Sequence, residues 1–428
     1  MEGVRKSMSD YQVPSGSTAK LDRVDGELRI GKKARLESPS GKIVVTGRVY
    51  FEGDADVNCD LECDSLETSR RLPPFFGPVR VNGNLVVHKN LNVTSSIDAK
   101  GEIRAEEIDG GGRIVAGSII CKNIRITGII EVKNKLEVEE SIDIGGKLIA
   151  PTTVKLRDLD VNGMADIGGG SISGHTKIKG KLDCKSRLEF GDIQVFGKAS
   201  LSGNCSGSSA STFGALSVNG NFKCDEIRVD GKTDVRGNCE SSKIEVNGKL
   251  DVSGSLSIAD KMEIHGSTEV TNDIKGSNIQ VAGKLKANSI IISDQALITG
   301  TVETKHGLKA KSIVIGSGSR CEGPLVGEQV EVGKSGMNVM AWGTKWVGQN
   351  INLKLTGRPT RVDDVYGTSV YLREFSTARK VFSQNVELEK ASSVDQVVYS
   401  GEFKKPSGNS VYMNHPPEKV NKLPPPPI

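Results

Sequence analysis

The sequence predicts an all-β chain wound as a parallel β-helix, a β-solenoid, of about 17 residues per turn. Three observations lead there. In IEVNGKLDVSGSLSI, residues 244 to 258, the even positions read Ile244, Val246, Gly248, Leu250, Val252, Gly254, Leu256 and Ile258, and polar residues fill the odd ones. Period two places the apolar set on one face of an extended chain, and its β-branched members favour the pleated backbone. Second, a glycine fills every third inward slot. It suits a chain that turns a corner after each short strand, because glycine has no Cβ and reaches backbone angles other residues avoid. Third, aliphatic strand starts recur at Ile108, Ile124, Ile142, Leu159, Ile193, Ile227, Ile244, Met262, Ile279, Leu297, Ile313 and Val330. Neighbouring starts lie 16 to 18 apart, and two gaps of 34 read as doubled units. At ~3.3 Å per residue, 17 extended residues trace about 56 Å, enough for a triangle with sides near 18 Å filled by aliphatic side chains.

Hairpins are the competing interpretation, since Asn-Gly occurs at Asn82-Gly83, Asn162-Gly163, Asn219-Gly220 and Asn247-Gly248. Against them, the inward pattern passes unbroken through Gly248 and Gly254, which are six apart.

Residues 1–25 are polar and lack sustained alternation, so they are expected to form a flexible tail. The β-helix is expected over 26–335. Val49, Ala55 and Leu61 already keep the six-residue beat. RRLPPFFGP, residues 70–78, interrupts it; its prolines cannot donate ladder hydrogen bonds, so a loop or a break between stacks is expected. GNCSGSSASTFG, residues 203–214, reads as an exposed Ser/Gly loop. Over 336–403, which holds Trp342 and Trp346, the glycine beat weakens while alternation persists, and closing β turns are expected. Residues 404–428 hold seven of the 15 prolines and end in LPPPPI, which reads as a disordered tail.

Composition narrows the function. Of 428 residues only 36% are hydrophobic and 4% aromatic, while Gly numbers 50, which suits a narrow solenoid better than a globule. The net charge is +4 with the signs interspersed, unlike the clustered Lys, Arg and aromatics of a nucleic-acid protein, so no nucleic-acid partner is expected. No apolar run reaches a membrane span, and MEGVRKSMSDYQVPSGS lacks the apolar core of a signal peptide, so the cytoplasm is the expected compartment. Cys121, Cys184 and Cys224 each follow an inward aliphatic by two residues and read as small core residues. Cys59 and Cys63 form a lone C-x-x-x-C without a second pair or nearby His, so no zinc set and a reduced interior are expected.

The motifs of chemistry fail one by one. Around Gly41-Lys42 a phosphate-binding loop would need a glycine where Leu36 stands and a hydroxyl where Ile43 stands. GSGSRCEG has Cys321 at the third glycine of a dinucleotide fingerprint. The five histidines, His88, His175, His265, His306 and His415, share no spacing. A hexapeptide-repeat acyltransferase, whose coils run near 18 residues per turn, is the enzymatic alternative; here two inward aliphatics precede each glycine instead of one per six. No catalytic, cofactor-binding or metal residue is therefore nominated, and the chain is expected not to be an enzyme.

The tandem I-x-V-x-G-x-L-x-V units, IRVDGKTDVRG (227–237), IEVNGKLDVSGSLSI (244–258) and IQVAGKLKANSI (279–290), resemble those of bactofilins, the polymer-forming cytoskeletal family. The resemblance spans roughly residues 28–335. VDDVYGTSVYLREFSTARKVFSQNVELEKASSVDQVVY (362–399) is similar to the closing segment of longer bactofilin-like proteins. It implies a right-handed triangular β-helix, nucleotide-independent end-to-end assembly into non-polar filaments, and cytoplasmic scaffolding near the membrane. The chain departs by its length and by the interruption at 70–78. Elementary physics points to assembly too: the first and last turns of a solenoid leave a row of backbone groups unpaired, an edge that another copy can continue. The expected partner is the chain itself, with the membrane surface or tail-binding proteins as further candidates. The alternative function is a monomeric binding scaffold.

Overall fold

The structure, a computed structural model, describes residues 10–69, 77–334, 359–408 and 410–428. Among these every regular element is a strand, none is a helix, and the pairings between strands are parallel. The chain falls into two units, Met1–Asn219 and Gly220–Ile428. Each is a β-solenoid whose turns contribute one strand segment to each of three faces, here A, B and C.

In the second unit, one turn shows how the sequence does this. Ile244 and Val246 lie on face A, Leu250 and Val252 on face B, Leu256 and Ile258 on face C, and all six are at most 4% exposed. Face A stacks Ile227, Ile244, Met262 and Ile279 in direct register. Face B stacks Thr233, Leu250, Thr268 and Leu285; face C stacks Cys239, Leu256, Ile274 and Ile290. Small and aliphatic side chains thus stack in columns at ~4.8 Å spacing, and such bulk suffices to fill the interior. Turn length varies, and the corners take up the difference. The pairing offset is 18 at Ile258↔Gly276 and 17 at Lys261↔Asn278, so the extra residue is absorbed at the corner from face C to face A.

The first unit repeats the plan. Its face A runs Leu28, Val49, Leu66, Leu91, Ile108 and Ile124. Farther along the same face, Leu159 stacks on Thr176, Thr176 on Ile193, and Ile193 on Ala210. Thr176 and Ala210 are the starts hidden inside what read as doubled units.

The corners at Gly248 and Gly254 are glycine for a reason other than backbone angles. Gly248 and Gly254 do not take a left-handed φ. A Cβ on Gly248 would instead overlap the carbonyl oxygens of Gly231 and Asp230 in the turn below, and one on Gly254 would lie 2.6 Å from the Gly237 carbonyl oxygen. Backbone stacks on backbone there, and only hydrogen fits. Both corner amides stay paired, Asn247 N–H and Gly248 N–H each donating to Val229 O at 2.8 Å. At the corner from B to C the backbone ladder is bridged by side chains: Asn221 Oδ1 accepts from Asn238 N–H, and Asn238 Oδ1 from Ser255 N–H, both at 2.9 Å.

Four expectations change. Residues 10–25 are not a tail: Tyr11–Val13, Thr18–Lys20 and Arg23–Val24 form the first turn, with Val13 and Val24 fully buried, while residues 1–9 lie outside the described residues. The polar composition misleads because one small apolar residue per face, such as Ala19, completes a terminal turn. Residues 203–214 are not a loop: Cys205–Thr212 is a strand paired with Leu188–Val195, its Ser and Gly facing out and Cys205, Ala210 and Thr212 facing in. Leu297 does not start an inward face; Ala296 does, paired with Ile279, and Leu297 points out. Residues 404–428 are placed, as described below.

Of the interruption at 70–78, residues 70–76 lie outside the described residues. The stack is not broken there, since Leu61 pairs directly with Leu85 and Ala55 with Val79. Trp342 and Trp346 also lie outside the described residues. The closing turns are present as Thr360–Leu372, Ser376–Leu388 and Ser393–Tyr399.

Candidate functional site

The residue types that carry catalysis are dispersed. His88 Nε2 lies 3.0 Å from Glu62 Oε1, and Lys42 and then His88 hold that carboxyl below its usual range. His175 Nδ1 lies 3.1 Å from Asp192 Oδ2 in an exposed inter-turn pair. His265, His306 and His415 are exposed elsewhere. Among the described residues no three His, Cys, Asp or Glu side chains gather to hold a metal.

The eight cysteines are buried and form no disulfide. Burial pushes the thiols of Cys63, Cys121 and Cys239 up to about 12. A buried thiol with a raised pKa is a poor nucleophile, and these residues pack as small apolar groups.

What stands out is a change of chemistry along the outward ladder of face C in the second unit. Its first members are polar, Lys223, Glu240, Ser257 and Lys275, each paired with the next. From Ile291 onward the ladder continues Lys309, Val326, Tyr366, Phe382 and Val398. Strand alternation should put polar groups here. Instead Val326 is only 9% exposed, and the rings of Tyr366 and Phe382 stack at 4.8 Å.

The chain's own C-terminal segment explains the burial. After Phe403–Lys404, Tyr412–Met413 and Glu418–Lys419 form a sparse last turn, paired with Val386, Val394 and Val398 of the turns below. Val420 N–H donates to Tyr399 O at 2.8 Å. The chain then runs back against the direction of stacking. Leu423, Pro424 and Pro426 line a groove with Ile291, Val326, Tyr366 and Phe382, and Lys309 Nζ donates to Ile428 O at 3.4 Å. Leu423 and Ile428 are half-buried and the prolines between them exposed. The disordered tail expected for 404–428 is therefore replaced by a final turn and a strap. The sequence signal was the gathering of Tyr and Phe after residue 360, which composition alone did not assign to a face.

The last turn also changes the end of the second unit. Its strands are two residues long, and Pro406, Pro416 and Pro417 carry no N–H. Such an edge offers few ladder bonds. The first turn of the first unit differs: Tyr11–Val13, Thr18–Lys20 and Arg23–Val24 each pair on one side only among the described residues.

Stacked parallel turns, three faces and an aliphatic interior define the class, a parallel β-solenoid. No family model, curated protein or solved structure matches the chain. No helix among the described residues is long and apolar enough to cross a membrane.

Proposed function

We propose that this chain is a non-enzymatic structural protein that associates with further copies of itself through solenoid ends, into cytoskeletal scaffolds or filaments that need no nucleotide. The observation that carries this reading is the one-sided pairing of the first turn. Inner turns spend their backbone N–H and C=O groups on two neighbours, whereas Tyr11–Val13 pairs on one side only, with the stretch 27–31, among the described residues. A copy that continues this ladder gains hydrogen bonds worth about 0.5 to 1.5 kcal/mol each. The resemblance to bactofilins supports the same reading and carries its finer form, cytoplasmic filaments near a membrane surface.

The proline-bearing last turn adds a condition. Continuation at that end requires residues 403–420 to move aside, so association begins through the first turn and lengthens only when the last one yields. A monomeric binding scaffold is the second reading, favoured by that same blunted end. Light scattering and negative-stain microscopy of the purified chain separate the two. Particles whose mass and length grow with concentration support association; a constant 45.7 kDa across concentration and salt overturns it.

A further inference from the structure

We propose that the apolar groove on face C of the second unit is a reader of proline-rich segments, and that its exchangeable occupant is the segment Leu423–Ile428 of a second copy. Three independent features of the groove support this. Its floor lies where the outward ladder turns aliphatic and aromatic, at Val326, Tyr366 and Phe382, after the run of polar positions from Lys223 to Lys275. Stacked rings beside aliphatic groups are the surface on which a polyproline helix is commonly bound, since prolines arrive already ordered and lose little entropy.

The second feature is a match of lengths. Val420 sits in the last turn, one step beyond Tyr399, and Ile428 is bonded at the turn of Lys309. These levels are five stacking steps apart, through Val398, Phe382, Tyr366 and Val326, or about 24 Å at ~4.8 Å per step. Eight residues as polyproline II reach about 25 Å at ~3.1 Å each, whereas a helical segment would reach about 12 Å. The prolines keep the segment long enough to span the groove, and the half-buried Leu423 and Ile428 anchor its ends.

The third feature is how lightly it is held. Pro424 to Pro427 are exposed, and no proline offers an N–H to the ladder. A single bond from Lys309 Nζ to Ile428 O is the hydrogen bond recorded for this strap. A segment attached through two aliphatic anchors and joined to the body by residues 421–422 can leave and be replaced by the same segment of a neighbour, the exchange that makes swapped dimers. At low concentration the tethered segment wins by its effective concentration, which is of order mM for a short linker; neighbours compete when copies are crowded. This side contact is separate from association through solenoid ends.

The test uses full-length chains. In an opened variant, Leu423→Asp with Ile428→Asp, both anchors are charged and the groove is left vacant. The probe is a fluorescein-labelled peptide of residues 421–428, followed by anisotropy. Saturable binding to the opened variant, at least tenfold tighter than to the unaltered chain, supports the proposal. Adding Phe382→Ala, or separately the exposed Lys309→Ala, to the opened variant should weaken binding at least threefold, with unchanged melting midpoints showing that the fold is kept. Equal binding to opened and unaltered chains, or none to the opened one, overturns it. For the exchange, a Lys309→Ala/Phe382→Ala chain with its tail intact is mixed with the opened variant. Mixed species that disappear on adding excess peptide support a second copy as occupant; their absence overturns that assignment. Association through ends is insensitive to the peptide, so failure of one reading leaves the other readable.

Discussion

Two threonines of face B show what a stacked interior demands of a single residue. Thr233 and Thr268 flank Leu250 in the inward column; both are at most 1% exposed, and neither hydroxyl has a hydrogen-bond partner. A buried, unpaired hydroxyl costs free energy that a methyl group of the same shape does not. Thr233→Val and Thr268→Val should therefore each raise stability by about 1 kcal/mol, read from denaturant midpoints. The cysteines make a complementary case. Since burial holds Cys63, Cys121 and Cys239 protonated up to about 12, a thiol reagent at pH 8 should label the native chain more than about 100-fold slower than the chain in denaturant. Rapid labelling of the native protein would contradict the burial.

At the scale of the element, the corner is the unit that decides. Because Gly254 abuts the Gly237 carbonyl oxygen of the turn below while Ser253 is exposed, Gly254→Val should cost about 1 to 3 kcal/mol and Ser253→Val much less. Equal unfolding midpoints would sink this account. The corners also explain how much was legible in the sequence. Ile244 to Ile258 announce period and corner together, so strand, face and turn length followed. Thr176 and Ala210 did not announce themselves, because a narrow interior accepts Thr and Ala where one expects Ile, and the Ser-rich strand Cys205–Thr212 was read as a loop for the same reason. At Leu297 the local pattern offered two adjacent inward registers, and the stack beneath, Ile279 on Ala296, chose between them. The groove was illegible for a different reason: an outward ladder is assembled from residues 16 to 40 apart, so Val326, Tyr366 and Phe382 become neighbours only once the register is known.

For the molecule as a whole, each unit is a series of turns that touch mainly the turns beside them, so stability is close to a sum of nearest-neighbour terms. Charge enters in the same repeating way. Lys135 and Lys155 hold the Glu137 carboxyl down to about 2, and Lys286 holds that of Glu269 below its usual range. At Glu331 burial works against ionisation, yet Lys334 and Arg373 prevail and its carboxyl also lies below the usual range. A carboxyl whose folded pKa is depressed contributes stability above its unfolded pKa, near 4.5 for Glu. That contribution disappears as pH falls through the folded value. Melting midpoints should hold level from pH 8 to pH 5 on this account and decline from about 4.5 toward 2. Glu137→Gln should flatten part of the decline; a level profile down to pH 2 would contradict it.

The paired corner amides carry one more consequence, for chemical ageing. An asparagine followed by glycine deamidates when the glycine nitrogen attacks the side-chain amide, which requires that nitrogen to be unencumbered and the backbone to bend. In Asn162-Gly163 and Asn247-Gly248 the glycine N–H is already given to Ile144 O and Val229 O, at 3.0 and 2.8 Å. The assembled solenoid thus protects the sequences most prone to this damage. Accumulation of aspartate and isoaspartate at either corner, followed by mass spectrometry over weeks, would record how often that particular turn comes open.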